Sequence, residues 1–373
     1  MQEQPAMNAP TPQGPLAGLR VIEFAGIGPG PFAAMLLSDM GADVLRIDRP
    51  GAGVRPPFDI VSRGRRVVEL NLRQTEDAAQ ALELLSRAHV LIEGFRPGVM
   101  ERLGLGPDVV LARNPALVYG RLTGWGQTGP LAETAGHDIN YIAIGGALAA
   151  MGPRDREPLP PMNLVGDYGG GSLYLTTGIL AALHEARKSG KGQVVDAAVM
   201  DGTASLMALY AGRVARGDWS TERGTNMLDG AAHYYRTYAT SDGHYMAVGA
   251  IEPQFFATLC HILGIDPAEV PQQDRARWPE LSARFAAIFR TRSRSEWTAA
   301  FDGTDACVAP VLGFTEAQSH PHLAVRGTYC ELDGIVQPAP TPRFSRSGEG
   351  IQGPPPSALA SADEALARWA MNT

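Results

Sequence analysis

Cysteine is scarce in this chain: 373 residues hold three, Cys260, Cys307 and Cys330. Widely spaced and odd in number, they argue against a disulfide framework or a zinc knuckle and for a reducing compartment. The simplest reading is three buried apolar thiols. Basic excess is also lacking. The net charge is −7, which argues against nucleic-acid binding by the chain as a whole. No uninterrupted apolar run reaches membrane-spanning length. Residues 1–15 are polar and proline-rich, unlike the apolar core of a signal peptide, and disorder is expected there. The expectation is a cytoplasmic protein with no membrane insertion. GxxxxGK[ST], HExxH, paired CxxC and GxSxG are all missing, and no metal is expected.

What is present is alternation. Leu19–Phe24, Asp43–Asp48, Arg66–Leu72, His89–Glu93, Leu117–Leu122 and Gln193–Ala197 read as short apolar strands. Helical patterns separate them near 32–40, 76–88, 99–113 and 173–187. That alternation predicts a parallel sheet and an α/β fold. The pattern changes after a helical stretch at 200–217. Residues 234–240 and 244–249 read as a hairpin around Ser241-Asp242-Gly243, with helices at 253–264, 279–290 and 294–302. This predicts a smaller α+β domain. The proline-rich stretch 336–357 shows no period, and a last helix is expected at 361–371.

Two glycine-bounded segments carry the chemistry: Gly136-His137-Asp138-Ile139-Asn140-Tyr141 and Gly166-Asp167-Tyr168-Gly169-Gly170-Gly171. One offers an imidazole and the other a carboxyl. Reversible proton transfer at a weakly acidic carbon needs two such groups. Asp167 has a second reading, as a cap for the helix that follows. Glu252 reads either as an N-cap or as a carboxylate that orients the imidazole. The loop Gly26-Ile27-Gly28-Pro29-Gly30-Pro31 sits where a dinucleotide fingerprint would, with Asp48 as the ribose acid. However, Pro31 takes the slot of the third glycine, and two prolines remove amide donors. A tight strand-to-helix turn is the better reading. Arginines 46, 49, 63, 65, 66, 73, 96 and 102 form a local basic cluster. Several follow strands, which suggests a ligand bearing several phosphates. Met151, Met162, Met200, Met207 and Met227 either pack in the core or line an apolar ligand surface.

Together these segments resemble the family III CoA-transferase superfamily. Gly41–Val44, Arg46–Pro50, Glu93–Val99, Gly124–Pro130 and Gly190–Asp196 carry that likeness, with Asn226–Gly230. Gly136–Tyr141 and Ala250–Phe255 point to its racemase branch, which epimerises 2-methylacyl-CoA thioesters. The resemblance implies a Rossmann-like large domain over 16–198 that binds CoA, linker helices at 199–233, and the small domain at 234–310. A linker at 311–330 and a return to the large domain at 331–373 complete it. It implies an interlocked homodimer. It gives His137 and Asp167 the acid/base roles and makes Glu252 the carboxylate supporting the histidine. CoA contacts fall on Arg49, Leu70, Asn71, Leu72, Arg73, Glu93, Gly94, Phe95 and Arg96, and on Gly136, Asp138, Ile139, Asn140 and Tyr141. Amides at Asp167 and Gly169 would hold the enolate oxygen. CoA enters as part of the substrate, so no separate cofactor is expected. The alternatives are a CoA-transferase with Asp167 as nucleophile, a nicotinamide oxidoreductase, and a non-catalytic CoA-binding protein.

Overall fold

In the computed structural model, which describes residues 14–371, the alternating apolar runs become a six-stranded parallel sheet. The strands are β1 (Arg20–Phe24), β2 (Asp43–Asp48), β3 (Arg65–Glu69), β4 (Val90–Glu93), β5 (Val118–Thr123) and β6 (Val194–Ala198). Their order is β3-β2-β1-β4-β5-β6. The disorder expected at the N-terminus lies, for residues 1–13, outside the described residues. Successive side chains of a strand point to opposite faces, and here both faces are covered. Ile22, Leu45, Leu91 and Tyr119 enter one core, while Val21, Val44, Val90 and Val118 enter the other. Burial on both sides is why these strands read as continuous apolar runs. Each fully buried aliphatic side chain contributes about 1.5–3 kcal/mol.

Helices α1 (Pro29–Asp39) and α2 (Thr75–Arg87) follow β1 and β3. Short helices α3 (Val99–Arg102) and α4 (Pro107–Arg113) split the single helix expected at 99–113, because Gly104 takes φ +71° between them. Next come α5 (Asp138–Ile144), the long α6 (Leu173–Ser189) and α7 (Val199–Leu206). β1 pairs with both β2 and β4. The strand order therefore reverses between β1 and β4, and the loops leaving these strands part to form a crevice. In open α/β sheets, ligands bind there.

The chain divides into two units. The first comprises residues up to 145, 162–206 and 324 onward, and the second comprises 146–161 and 207–323. The second unit holds α8 (Ala208–Arg216) and an antiparallel sheet of β7 (Tyr235–Ala239), β8 (Tyr245–Gly249) and β9 (Val308–Pro310). It also holds α9 (Pro253–Leu263), α10 (Trp278–Phe289) and α11 (Arg294–Phe301). Its core is aromatic, with Tyr238, Phe256, Phe285, Phe289 and Trp297 at the centre. The expected boundaries shift accordingly. Residues 146–161 group with the second unit, and α7 groups with the first. The C-terminal return begins at 324. It opens with a hairpin, β10 (Tyr329–Leu332) and β11 (Ile335–Pro338), which overlaps the stretch read as lacking any period. Buried Arg63 fastens this return. It pairs with Asp39 at 2.5 Å and donates to Gln337 Oε1 (2.8 Å) and the Pro338 carbonyl (2.7 Å). Among the described residues, no helix is long and apolar enough to cross a membrane.

Candidate active site

The crevice at the strand reversal is a cleft of about 480 Å³ within the first unit. The loop after β1 forms one wall, Gly94–Pro97 after β4 another, and Thr123 at the end of β5 with Gly124 and Trp125 a third. His137 and Asp167 both line it.

His137 immediately precedes α5, in extended conformation (φ −131°, ψ 173°). Its N–H donates to Asn140 Oδ1 at 3.0 Å. The turn beneath it is fixed by Tyr141. That ring stands edge-on to Trp125, with centroids 4.8 Å apart, and its hydroxyl donates to the Gly136 carbonyl. The imidazole is exposed above this braced turn.

Asp167 lies in a π-helical run, Leu164–Ser172, that continues directly into α6. It is therefore not the cap of that helix. Single π turns inside helices are frequent at functional sites. Two contacts hold this run against the start of α1: Ser172 Oγ donates to the Pro29 carbonyl (2.7 Å), and Tyr168 stacks on Phe32 with centroids 4.1 Å apart. The Asp167 carboxyl is half-buried, and its pKa rises to about 6. Burial is the main cause and the Asp138 charge the second, with a hydrogen bond from Asn163 and the nearby His137 acting in the opposite direction. Gly28, at φ +70°, lets the β1 loop reach this carboxyl. A Cβ there would stand 2.8 Å from Asp167 Oδ2. The glycine loop read as a simple turn is thus also a wall of the site.

The basic cluster splits in two. Arg46 and Arg65 are buried on Glu23, at 3.7 and 3.0 Å, Arg63 is buried on Asp39, and Arg66 pairs with Asp43 at 2.9 Å. These four hold the fold and are not free for a ligand. Asp48 is likewise engaged, by Arg46 and by Arg55 at 2.6 Å, so it is no ribose acid. Arg49, Arg73, Arg96 and Arg102 are exposed. The first three lie in the segments just after β2, β3 and β4, so parallel pairing gathers them at the cleft edge of the sheet. Arg96 lines the cleft itself, whereas Leu72, Arg73 and Arg102 border a separate hollow of about 530 Å³.

Of the other expected contacts, Gly94, Phe95, Gly136, Asp138 and Tyr141 line the cleft. Ile139 and Asn140 are exposed on α5. Leu70 is buried, and the Asn71 amide is held by Asp77 at 2.6 Å. Glu93 is 0% exposed; it accepts from the Phe95 amide (2.7 Å) and from Arg121 Nε (2.8 Å). Its carboxylate shapes the loop from below.

The expected enolate donors need correction. The Asp167 amide donates to Asp138 Oδ1 at 2.6 Å, and Gly169 sits inside the π-helical run, whose amides pair five residues back. Neither amide is free.

Glu252 belongs to the second unit. It is the exposed residue before α9 and makes no side-chain cap hydrogen bond. None of the five methionines singled out is fully buried: Met162 is 72% exposed, whereas Met227 packs, partly buried, against the core of the second unit. Of the thiols only Cys260 is buried, where desolvation pushes it up to about 12; Cys307 is exposed and Cys330 half-buried.

An imidazole and a protonatable carboxyl facing one cleft can exchange protons with a single bound carbon acid. Comparison with known proteins agrees with that chemistry. Residues 16–358 match the model of CoA-transferase family III. The chain is 46% identical to alpha-methylacyl-CoA racemase of Mus musculus over 335 residues, covering 89% of this chain and 87% of that protein. The Homo sapiens protein of the same name is also 46% identical, over 87% of this chain and 86% of its own. Among solved structures, a CAIB/BAIF family protein from Brucella suis superposes with a TM-score of 0.81 at 29% identity, covering 97% of this chain and all of that one.

Proposed function

From the fact that the chain belongs to CoA-transferase family III, we propose that it epimerises 2-methylacyl-CoA thioesters by 1,1-proton transfer through an enolate. A thioester suits the reaction because sulfur donates poorly into the carbonyl, so the α-proton is more acidic than in an oxygen ester. In one direction His137 removes that proton while Asp167, carrying its own, delivers it to the opposite face. In the other direction the roles exchange. The proton count is conserved and no separate cofactor is required. The observation that carries the reading is the Asp167 carboxyl, raised to about 6 in the cleft that also holds His137.

The presence of His137 in the same cleft weighs against a CoA-transferase. There the aspartate would attack the thioester as an ionised nucleophile and form a mixed anhydride. The imidazole would have no part in that step. The deciding experiment incubates one epimer of a 2-methylacyl-CoA in D₂O. Deuterium at the α-carbon with loss of optical purity supports epimerisation. CoA exchange onto an added carboxylic acid, with no α-label, would replace the reading with the transferase.

Arg49 and Arg96 are assigned to the CoA phosphates. Arg96→Ala is expected to raise KM for the thioester roughly tenfold with kcat little changed, the scale of one charge-assisted hydrogen bond. Glu252 is assigned to support the imidazole, and Glu252→Gln should lower kcat rather than raise KM. The working form is proposed to be an interlocked homodimer. In support, Ile144, Met162, Leu164, Leu173 and Leu206 of the first unit present exposed apolar side chains. Sedimentation is expected to give twice the 39.6 kDa chain mass.

A further inference from the structure

We propose that Asp138 is the positioning residue of this site, its carboxylate clasping the backbone at Asp167 and so fixing that residue relative to His137. The proposal rests on the epimerase reading for its kinetic consequence, but its structural part stands apart from it.

Asp138 follows His137 directly in the chain. Its Oδ1 accepts the Asp167 N–H at 2.6 Å. The two reacting groups are thirty residues apart in sequence, yet one peptide unit and one hydrogen bond join their backbones. The carboxylate sits directly on Gly166, where an added Cβ would fall 2.2 Å from Asp138 Oδ1 and 2.8 Å from its Cγ. Only glycine leaves room for the clasp. Asp138 is half-buried, so the hydrogen bond to Asp167 forms in a medium where such bonds are stronger than in water.

The clasp also acts through charge. A second carboxylate this close disfavours ionisation of Asp167, and it is the largest charge effect acting on that group. Asp138 thereby helps Asp167 to hold the proton it must deliver. This role differs from a CoA contact, and the two predict different kinetics. Losing a CoA contact raises KM. Losing the clasp lowers kcat, because the bound carbon is no longer framed by correctly placed groups.

The test uses the full-length protein with Asp138→Ala, Asp138→Asn and Gly166→Ala. Asp138→Ala is expected to lower kcat roughly a hundredfold, within the range for misplacing an acid/base group, and to change KM little. Asp138→Asn keeps a carbonyl acceptor and should recover part of kcat. Gly166→Ala should reproduce the Asp138→Ala loss without removing any charge. A readout independent of turnover comes from ¹³C-carboxyl aspartate NMR on the substrate-free protein, with Asp167→Asn identifying the Asp167 resonance. The Asp167 midpoint should fall by about one pH unit in Asp138→Asn, since a neighbouring like charge is gone. A loss that falls on KM, or an Asp167 midpoint that does not move, would overturn the proposal. Failure of the wild-type protein to label 2-methylacyl-CoA in D₂O would instead overturn the epimerase reading, and the NMR result would still decide the clasp.

Discussion

Asp167→Ala is expected to slow epimerisation by roughly 10²–10⁴-fold, the usual worth of a positioned acid/base group, and His137→Ala by a similar factor. Their isotope patterns should differ. With one group removed, the other can still withdraw and return a proton on its own face. Each variant should therefore exchange the α-hydrogen of one epimer with retention, and the two variants should select opposite epimers. That complementarity requires one group on each side of the carbon. If both variants exchange the same epimer, or either turns over at the wild-type rate, the two-sided arrangement is wrong.

The pH dependence follows from proton counting. Epimerisation in either direction uses the enzyme form that holds one proton between the pair. The two directions therefore share one bell-shaped kcat/KM profile, since the equilibrium between epimers does not involve pH. Its limbs belong to the pair and not to either residue. The stability consequence has the opposite sign to the catalytic one. Asp167 has an ordinary value of 3.8 and rises to about 6 in the fold, so the unfolded chain ionises first and stability falls as pH rises between those values. Asp167→Asn removes that penalty. It should be inactive yet melt higher than wild type at pH 7.5, and the gain should vanish below pH 4. Thermal melts at both pH values separate a damaged fold from a lost proton carrier.

Much of this could be read before any coordinates, and the reason lies in which physics is local. β1 to β6 were visible because parallel strands buried on both faces need apolar runs such as Val90–Glu93. The strand order that opens the cleft was not visible, because pairing depends on contacts far apart in sequence. His137 and Asp167 stood out through their glycine settings. The Asp138 clasp did not, since nothing in the spacing of residues 138 and 167 says that a side chain from one will meet the amide of the other. The nearest signal was Gly166, whose lack of a Cβ reads as a turn until the carboxylate is seen against it. The arginine cluster misled in the other direction. Charge at the sheet edge suggested phosphate contacts, but Arg46, Arg63, Arg65 and Arg66 meet internal carboxylates, and only the fold distinguishes a consumed guanidinium from a free one.

His233 supplies the largest stability effect expected outside the cleft. It lies in the second unit and is 0% exposed, among the rings of Tyr234, Phe256 and Phe285 with centroids 5.1–5.4 Å away. Neither ring nitrogen has a hydrogen-bond partner among the described residues. The Tyr238 hydroxyl reaches only its backbone carbonyl, at 2.6 Å. No carboxylate acts on the ring, and the one charge that does, Arg277, further disfavours the imidazolium. Burial first and Arg277 second lower its pKa from 6.5 to about 4. The unfolded chain thus takes up the proton before the folded one, so stability is lost as pH falls from 6.5 toward 4. Linkage puts that loss at about 2 kcal/mol at pH 5 and about 3 kcal/mol at pH 4. His233→Leu keeps an apolar side chain in the aromatic core and cannot take the proton. Its urea midpoint at pH 7 should lie near that of wild type, because two unpartnered nitrogens disappear along with some ring packing. At pH 4.5 the variant should be the more stable protein. Fluorescence of Trp278 and Trp297, which share this core, follows the unfolding directly. Parallel pH dependences for the two proteins would mean that His233 binds its proton as readily in the fold as in water, and that the aromatic shell around it is open to solvent.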